Sequence, residues 1–116
     1  MSRVKNNKFI EDTKKKYFQI GSISCPAFCG EKVYFNRHGW NHLIRKGRKF
    51  RETRDQIRRI KLLPRALHIL RHTKSIRKYR ITKIGLSVAY FWELEQVIHV
   101  IVRKVNNGRL HLFSIF

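Results

Sequence analysis

Acidic residues are scarce in this chain. Seven Asp and Glu stand against 27 Lys and Arg, a formal net charge of +20 over 116 residues. With seven acids in total and no paired carboxylates that stand out, a two-carboxylate hydrolase or a magnesium-dependent nuclease is not expected. Cysteine is nearly absent as well. Cys25 and Cys29 alone do not make the disulfide framework of a small secreted domain. No apolar run approaches the ~20 residues of a membrane span. No glycine-rich phosphate loop occurs. The N-terminus carries no apolar stretch of signal type, so the expected location is cytoplasmic, with no membrane partner.

What the chain does contain is enough apolar residue for a core (42%) and a length suited to one domain. Such an excess of cations in a small fold steers the molecule to polyanions, and counterion release makes that binding sensitive to salt. The competing reading is a basic protein with no specific partner.

The chain is organised around its last thirty residues, Leu86 to Phe116, where Val, Ile, Leu, Tyr, Phe and Trp dominate. These suit a pleated, half-buried surface. Asn107-Gly108 between two apolar runs signals a hairpin, and Glu95-Gln96 is the expected turn before it. Three antiparallel strands follow, at about 86–94, 97–105 and 110–116. With two-residue turns, Ser114 opposes Ile101, Leu112 opposes Arg103, His99 opposes Trp92 and Ile101 opposes Tyr90. One face then gathers Ala89, Phe91, Ile98, Val100, Val102, Phe113 and Ile115 as a core. The other gathers Tyr90, Trp92, His99, Arg103 and Ser114, a mixture suited to an anion or a nucleotide. A three-residue Asn-Asn-Gly loop slips the register by one and exchanges Ser114 for His111.

Upstream, residues 1–16 are polar and basic and are expected to be a loose, flexible arm or a frayed helix, ahead of a single α+β domain over 17–116. Short strands are expected near 17–23 and 32–35, with a Pro- and Gly-punctuated turn between them. Asn36 offers an N-cap to a helix over 37–46 that ends at Gly47, with Trp40, Leu43 and Ile44 on one side. Helix is expected again from Thr53, then from Pro64 as a first helical residue, and a fourth strand over Tyr79–Ile84. The fold class is therefore α+β: short N-terminal helices packed on one face of a three- to four-stranded antiparallel sheet.

Two constellations carry chemistry. Cys25, Cys29, His38 and His42 are the ligand types of a zinc centre, but the central spacing is shorter than that of a classical finger, and a buried turn cysteine beside helix histidines is the plainer reading. No metal or cofactor is therefore assigned. The second is metal-free cleavage of RNA, which needs an acid–base pair near the ribose and cations on the phosphate. Histidine as a residue type titrates near neutrality, so His42 and His99 are the acid–base candidates. Arg103 offers a planar fork to phosphate, and Ser114 a hydroxyl. Tyr90 and Trp92 are candidates to stack bases. Arg45, Lys46, Arg48, Arg51, Arg54 and Arg58 are candidates to grip the backbone. His68, His72 and His111 are taken as solvated or structural.

The stretch Ile23-Ser24-Cys25-Pro26, then Val33-Tyr34-Phe35, then Gly39-Trp40-Asn41-His42-Leu43-Ile44-Arg45-Lys46-Gly47 and Lys61-Leu62-Leu63-Pro64, resembles the barnase–EndoU–colicin–RelE-like nuclease superfamily in its short phage and bacterial members. Phe91-Trp92, Ile101-Val102-Arg103 and the closing Phe113-Ser114-Ile115-Phe116 continue the resemblance. It implies helices on an antiparallel sheet and a toxin-type, metal-independent endoribonuclease. His42 would match the helical histidine, Arg103 the strand arginine and Ser114 the last-strand hydroxyl. RNA, such as tRNA or ribosome-associated RNA, is the expected partner, with an acidic antitoxin or immunity protein as a corollary. The alternative is a non-catalytic RNA- or ribosome-binding basic module.

Overall fold

The computed structural model describes residues 3–94 and 97–116. The expected Glu95-Gln96 turn lies outside them. The architecture is α+β, with four helices, a mixed six-stranded sheet and a small two-stranded hairpin. In chain order these are α1 (Arg3–Ile20), β1 (Ser22–Ser24), a 3₁₀ turn (Pro26–Phe28), β2 (Lys32–Tyr34) and α2 (Arg37–Ile44). The hairpin strands β3 (Arg45–Lys46) and β4 (Lys49–Phe50) follow, then α3 (Thr53–Ile60) and α4 (Leu63–His72). The chain closes with β5 (Ile76–Ile84), β6 (Ser87–Leu94), β7 (Val100–Val105) and β8 (Leu110–Ile115). None of the described helices is long and apolar enough to cross a membrane.

The stretch expected to be a loose arm or a frayed helix is helical, and the helix continues to Ile20. Phe9, Thr13 and Tyr17 recur at four-residue spacing, with Ile10 and Ile20 beside them, and that stripe gives α1 a face to bury. Phe9, Ile10 and Ile20 pack on the core, and Tyr17 is wholly buried. The division at residues 16/17 therefore falls inside a helix.

The main sheet runs β1-β2-β8-β7-β6-β5. All pairs are antiparallel except β2–β8, which is parallel, so the sheet is larger than expected and is mixed. The parallel pair is short, Val33↔Leu110 and Tyr34↔His111. After it β2 ends, and α2 packs against the remainder of β8. Asn36 caps α2 as expected, its side chain accepting from the Gly39 amide at 3.1 Å. The helix stops at Ile44 rather than running to Gly47, which instead takes a left-handed conformation (φ 65°) between β3 and β4. Pro64 lies in the first turn of α4, as its fixed φ favours.

The register of the last three strands differs from the expected one. Trp92 opposes Val102 and Phe91 opposes Arg103, three residues away from the pairing that a two-residue turn would impose. At the second hairpin the chain turns through Asn106 (φ 51°), and the Gly108 amide donates to the Val105 carbonyl at 2.9 Å. Arg103 then opposes His111. A bulge at Phe113 absorbs one residue, so that Ser114 still opposes Ile101. Both registers weighed from the sequence are thus realised, one on each side of the bulge.

These shifts exchange the faces of β6 and displace Phe113, while Ala89, Ile98, Val100, Val102 and Ile115 are buried as expected. Val100, Val102, Leu112 and Ile115 are buried with Tyr17, Trp40, Leu43, Ile60, Leu63 and Leu70 in one core. Trp92 packs on that core and lies edge-on to Phe28 at 5.4 Å. Phe91 and Phe113 are half-buried, and Phe91 shares a face with Arg103.

α2 meets β8 so closely that a Cβ at Gly39 would overlap the Leu112 carbonyl and the Tyr17 hydroxyl. The Leu112 oxygen is backbone and cannot turn away. Gly39→Ala should therefore lower stability by about 1–3 kcal/mol or more, read as a lower thermal midpoint. An unchanged midpoint would show that α2 does not sit this closely.

Candidate functional site

The seating of α2 on β8 makes an open cleft of about 550 Å³. His38, Asn41 and His42 line it from α2, Arg45, Gly47 and Arg48 from the β3–β4 hairpin, and Arg103 and Phe113 from the sheet. Among the described residues no carboxylate lines it. His38 and His42 are four residues apart, so they project from one side of the helix. The His42 and Phe113 rings are 4.2 Å apart, and the Arg103 guanidinium lies 4.6 Å over the other side of this contact, on Phe113. The Arg103 Nε donates to Nε2 of His111 at 2.9 Å.

That hydrogen bond sets the protonation of His111. Nε2 accepts, so the imidazole is neutral with its proton on Nδ1. Burial, then the Arg103 charge, lowers its pKa to about 4. His42 is lowered to about 4 by burial first and then by Arg51, Arg59 and Arg103. Burial also lowers Arg103, which nonetheless stays cationic at neutral pH.

Two of the arginines near His42 are held from behind. Arg51 Nε donates to the His42 carbonyl at 3.2 Å, and Arg59 donates to the Ile115 carbonyl at 3.2 Å. Asp55 binds Arg51, Arg58 and Arg59 together. Burial alone would raise the Asp55 carboxyl, but its bonds to Arg58 and Arg59 hold it below the usual range. One carboxylate thus serves three guanidinium groups. Arg103 has no carboxylate partner among the described residues.

The structure brings together His42, Arg103, Arg45 and Arg48 from the expected set. Arg45 lies 4.0 Å over the Phe50 ring. Lys46 and Arg54 are exposed near the cleft in sequence but do not line it. Arg51 and Arg58 are engaged by Asp55. His99 belongs to a separate groove, where its Nδ1 meets the buried Glu93 carboxylate. Tyr90 and Trp92 lie on the opposite face from Arg103, because alternation places them with Val102 rather than with Phe91. Ser114 is 1% exposed, and its Oγ has no hydrogen-bond partner among the described residues. It does not line the cleft, so the expected phosphate contact from Ser114 is not formed.

Three residues absent from the expected site belong to it: His38, Asn41 and Phe113. His111 supports it from beneath. The i,i+4 spacing of His38 and His42 was available as a signal for the first. Asn41 lies beside His42 on the same helix, whereas Phe113 and His111 depend on a bulge and a slipped register. The zinc reading finds no geometry. Cys25 is buried in the core and Cys29 is exposed, and no cluster of three or more metal-ligating side chains occurs among the described residues. Comparison with family models, with curated proteins and with solved structures gives no match to this chain.

The depressed histidines predict acid lability. Below the ordinary value of 6.5 the unfolded chain takes up protons that folded His42 and His111 do not accept until about pH 4. Stability should therefore be level above pH 6.5, fall between 6.5 and 4, and flatten below in respect of these two groups. Chemical denaturation across that range, with His111→Gln alongside, reads this directly. A pH-independent midpoint would contradict the burial of both rings.

Proposed function

We propose that the protein is a metal-independent endoribonuclease of toxin type, acting at the α2–β8 cleft. One observation carries this reading. Two histidines and unneutralised arginines converge on one open cavity that no carboxylate among the described residues lines. Such a cavity attracts a phosphodiester and can move protons on either side of it.

Arg103 would hold the non-bridging phosphate oxygens, where charge grows as the 2′-oxygen attacks. Its own orientation is kept by His111 and Phe113. His42 is neutral at physiological pH. With Nδ1 buried, Nε2 is the nitrogen that would take the 2′-hydroxyl proton. His38, one turn away, would return a proton to the departing 5′-oxygen, leaving a 2′,3′-cyclic phosphate and a 5′-hydroxyl. Arg45 and Arg48 would hold neighbouring phosphates. An RNA such as tRNA, or one associated with the ribosome, is the expected substrate. An acidic protein that covers the cleft is the corresponding inhibitor, because Arg45, Arg48 and Arg103 line it.

A second reading is favoured by a specific observation. The buried Nδ1 of His42 has no acceptor to orient the ring, and a base near pH 4 is weaker than general catalysis at neutrality prefers. A non-catalytic RNA-binding module would keep the cleft and its cations and need no such tuning.

Incubation with tRNA and total RNA in EDTA separates the two. For the nuclease, cleavage persists in EDTA. His42→Ala should slow it by roughly 10²–10⁴-fold, and Arg103→Ala by about 10²–10³-fold. The wild-type rate should climb through pH 4 as His42 loses its proton, if His42 is the base. Cleavage unchanged in both variants would place the chemistry elsewhere. Tight binding without cleavage would leave the binding module.

A further inference from the structure

The cleft is one end of a longer feature. Arg80 on β5 opposes Phe91 on β6, Phe91 opposes Arg103 on β7, and Arg103 opposes His111 on β8. These four residues form a single cross-strand row on one face, with neighbours ~4.8 Å apart along the hydrogen-bonding direction. The side chains touch along it. The Arg80 guanidinium lies 4.4 Å over Phe91, the Phe91 and Phe113 rings meet edge to face at 5.2 Å, and Arg103 lies over Phe113. At the far end a second groove of about 410 Å³ is lined by Lys78, Arg80, Phe91, His99 and Phe116, with the Glu93 carboxylate at its floor. There the His99 and Phe116 rings stack at 4.4 Å. Among the described residues, neither Lys78 nor Arg80 pairs with a carboxylate.

From this alignment we propose that single-stranded RNA crosses the sheet along this row, from the α2–β8 cleft to the Lys78–Arg80 groove, and that Arg80 and Phe91 are substrate-binding residues. The proposal deepens the reading that the cleft holds an RNA phosphate, and rests on it. Alternating guanidinium and aromatic groups are what an unpaired strand needs: cations for successive phosphates and flat faces for splayed bases. Phe91 backs the Arg80 guanidinium and fixes its plane, which leaves the outer side to a base or a phosphate. A rigid duplex is not the ligand this row fits, because its bases are stacked internally and its backbone alone is presented. The row also gives the strand a direction, across the β-strands rather than along them.

The test uses the full chain and a fluorescein-labelled, 2′-O-methylated single strand of about ten nucleotides, which lacks the attacking hydroxyl and so stays intact. Binding is followed by anisotropy at several salt concentrations, with the same sequence as a duplex and with Lys14→Ala on α1 as a remote control. The expected result is preference for the single strand and roughly ten-fold weaker binding in each of Arg80→Ala and Phe91→Leu. The salt slope of Arg80→Ala should fall by about one, and Lys14→Ala should bind as the wild type does. Circular dichroism confirms that both variants are folded. If Phe91→Leu fails to fold, Arg80→Ala at the exposed sheet edge decides alone. Variants that bind as the wild type does, while Arg103→Ala is impaired, would overturn the row and leave the cleft reading intact. Equal affinity for duplex would overturn the single-strand assignment. No affinity for either RNA would remove both readings. Row-dependent binding without cleavage of unmodified RNA would uphold the row and remove the nuclease.

Discussion

The backbone contact between α2 and β8 at Gly39 is the constraint on which the site depends. A helix normally stands off a sheet by the length of its side chains. Here a glycine, buried against the Leu112 carbonyl and the Tyr17 hydroxyl, removes that spacing. Tyr17 donates to the Asn36 carbonyl at 2.8 Å, and Asn36 caps the same helix. α1, the start of α2 and β8 are therefore locked together at one point. Three residues further on, His42 comes to rest on Phe113, and Arg103 reaches the same ring from the next strand. A longer side chain at position 39 would lift both histidines away from the arginine.

Charge is the second organising term. Burial first, and then the charges of Arg51, Arg59 and Arg103, disfavour the protonated form of the His42 imidazole, and its pKa falls accordingly. Asp55 restrains three arginines and so keeps part of this repulsion local. The remaining positive potential opens onto the cleft, where a phosphate would supply the missing anions. The same scarcity of acids that argues against metal-bridged carboxylate chemistry thus leaves the molecule short of internal counterions.

Much of the element content was legible locally. Asn36 followed by a helix, Pro64 opening another, and the aromatic and β-branched tail are short-range signals, and each corresponds to an element of the structure. α1 was read only as a loose arm or a frayed helix, because division at residue 16 cut the Phe9–Thr13–Tyr17–Ile20 stripe before its most buried member. The faces of β7 were legible, with Val100 and Val102 inward and Arg103 on the other side, but those of β6 were not. A strand's alternation is visible in sequence, but which half points inward depends on turn length, and a slip by an odd number of residues exchanges the halves. Phe91 thereby replaced Tyr90 and Trp92 beside Arg103, and the Phe113 bulge brought His111 under it.

By itself, the sequence determined an α+β chain of extreme positive charge, with an apolar three-strand ending and with histidine and arginine as its chemically apt residues. These follow from composition, periodicity and local capping, none of which requires knowing what lies opposite. Only the tertiary structure decided that His42 meets Arg103 while His99 meets Glu93, that Ser114 is enclosed, and that Arg80, Phe91, Arg103 and His111 stand in one row. Those relations are set by cross-strand register, by one bulge and by the close seating of a helix on a strand. Each is a long-range packing outcome in which a shift of one residue changes the partner.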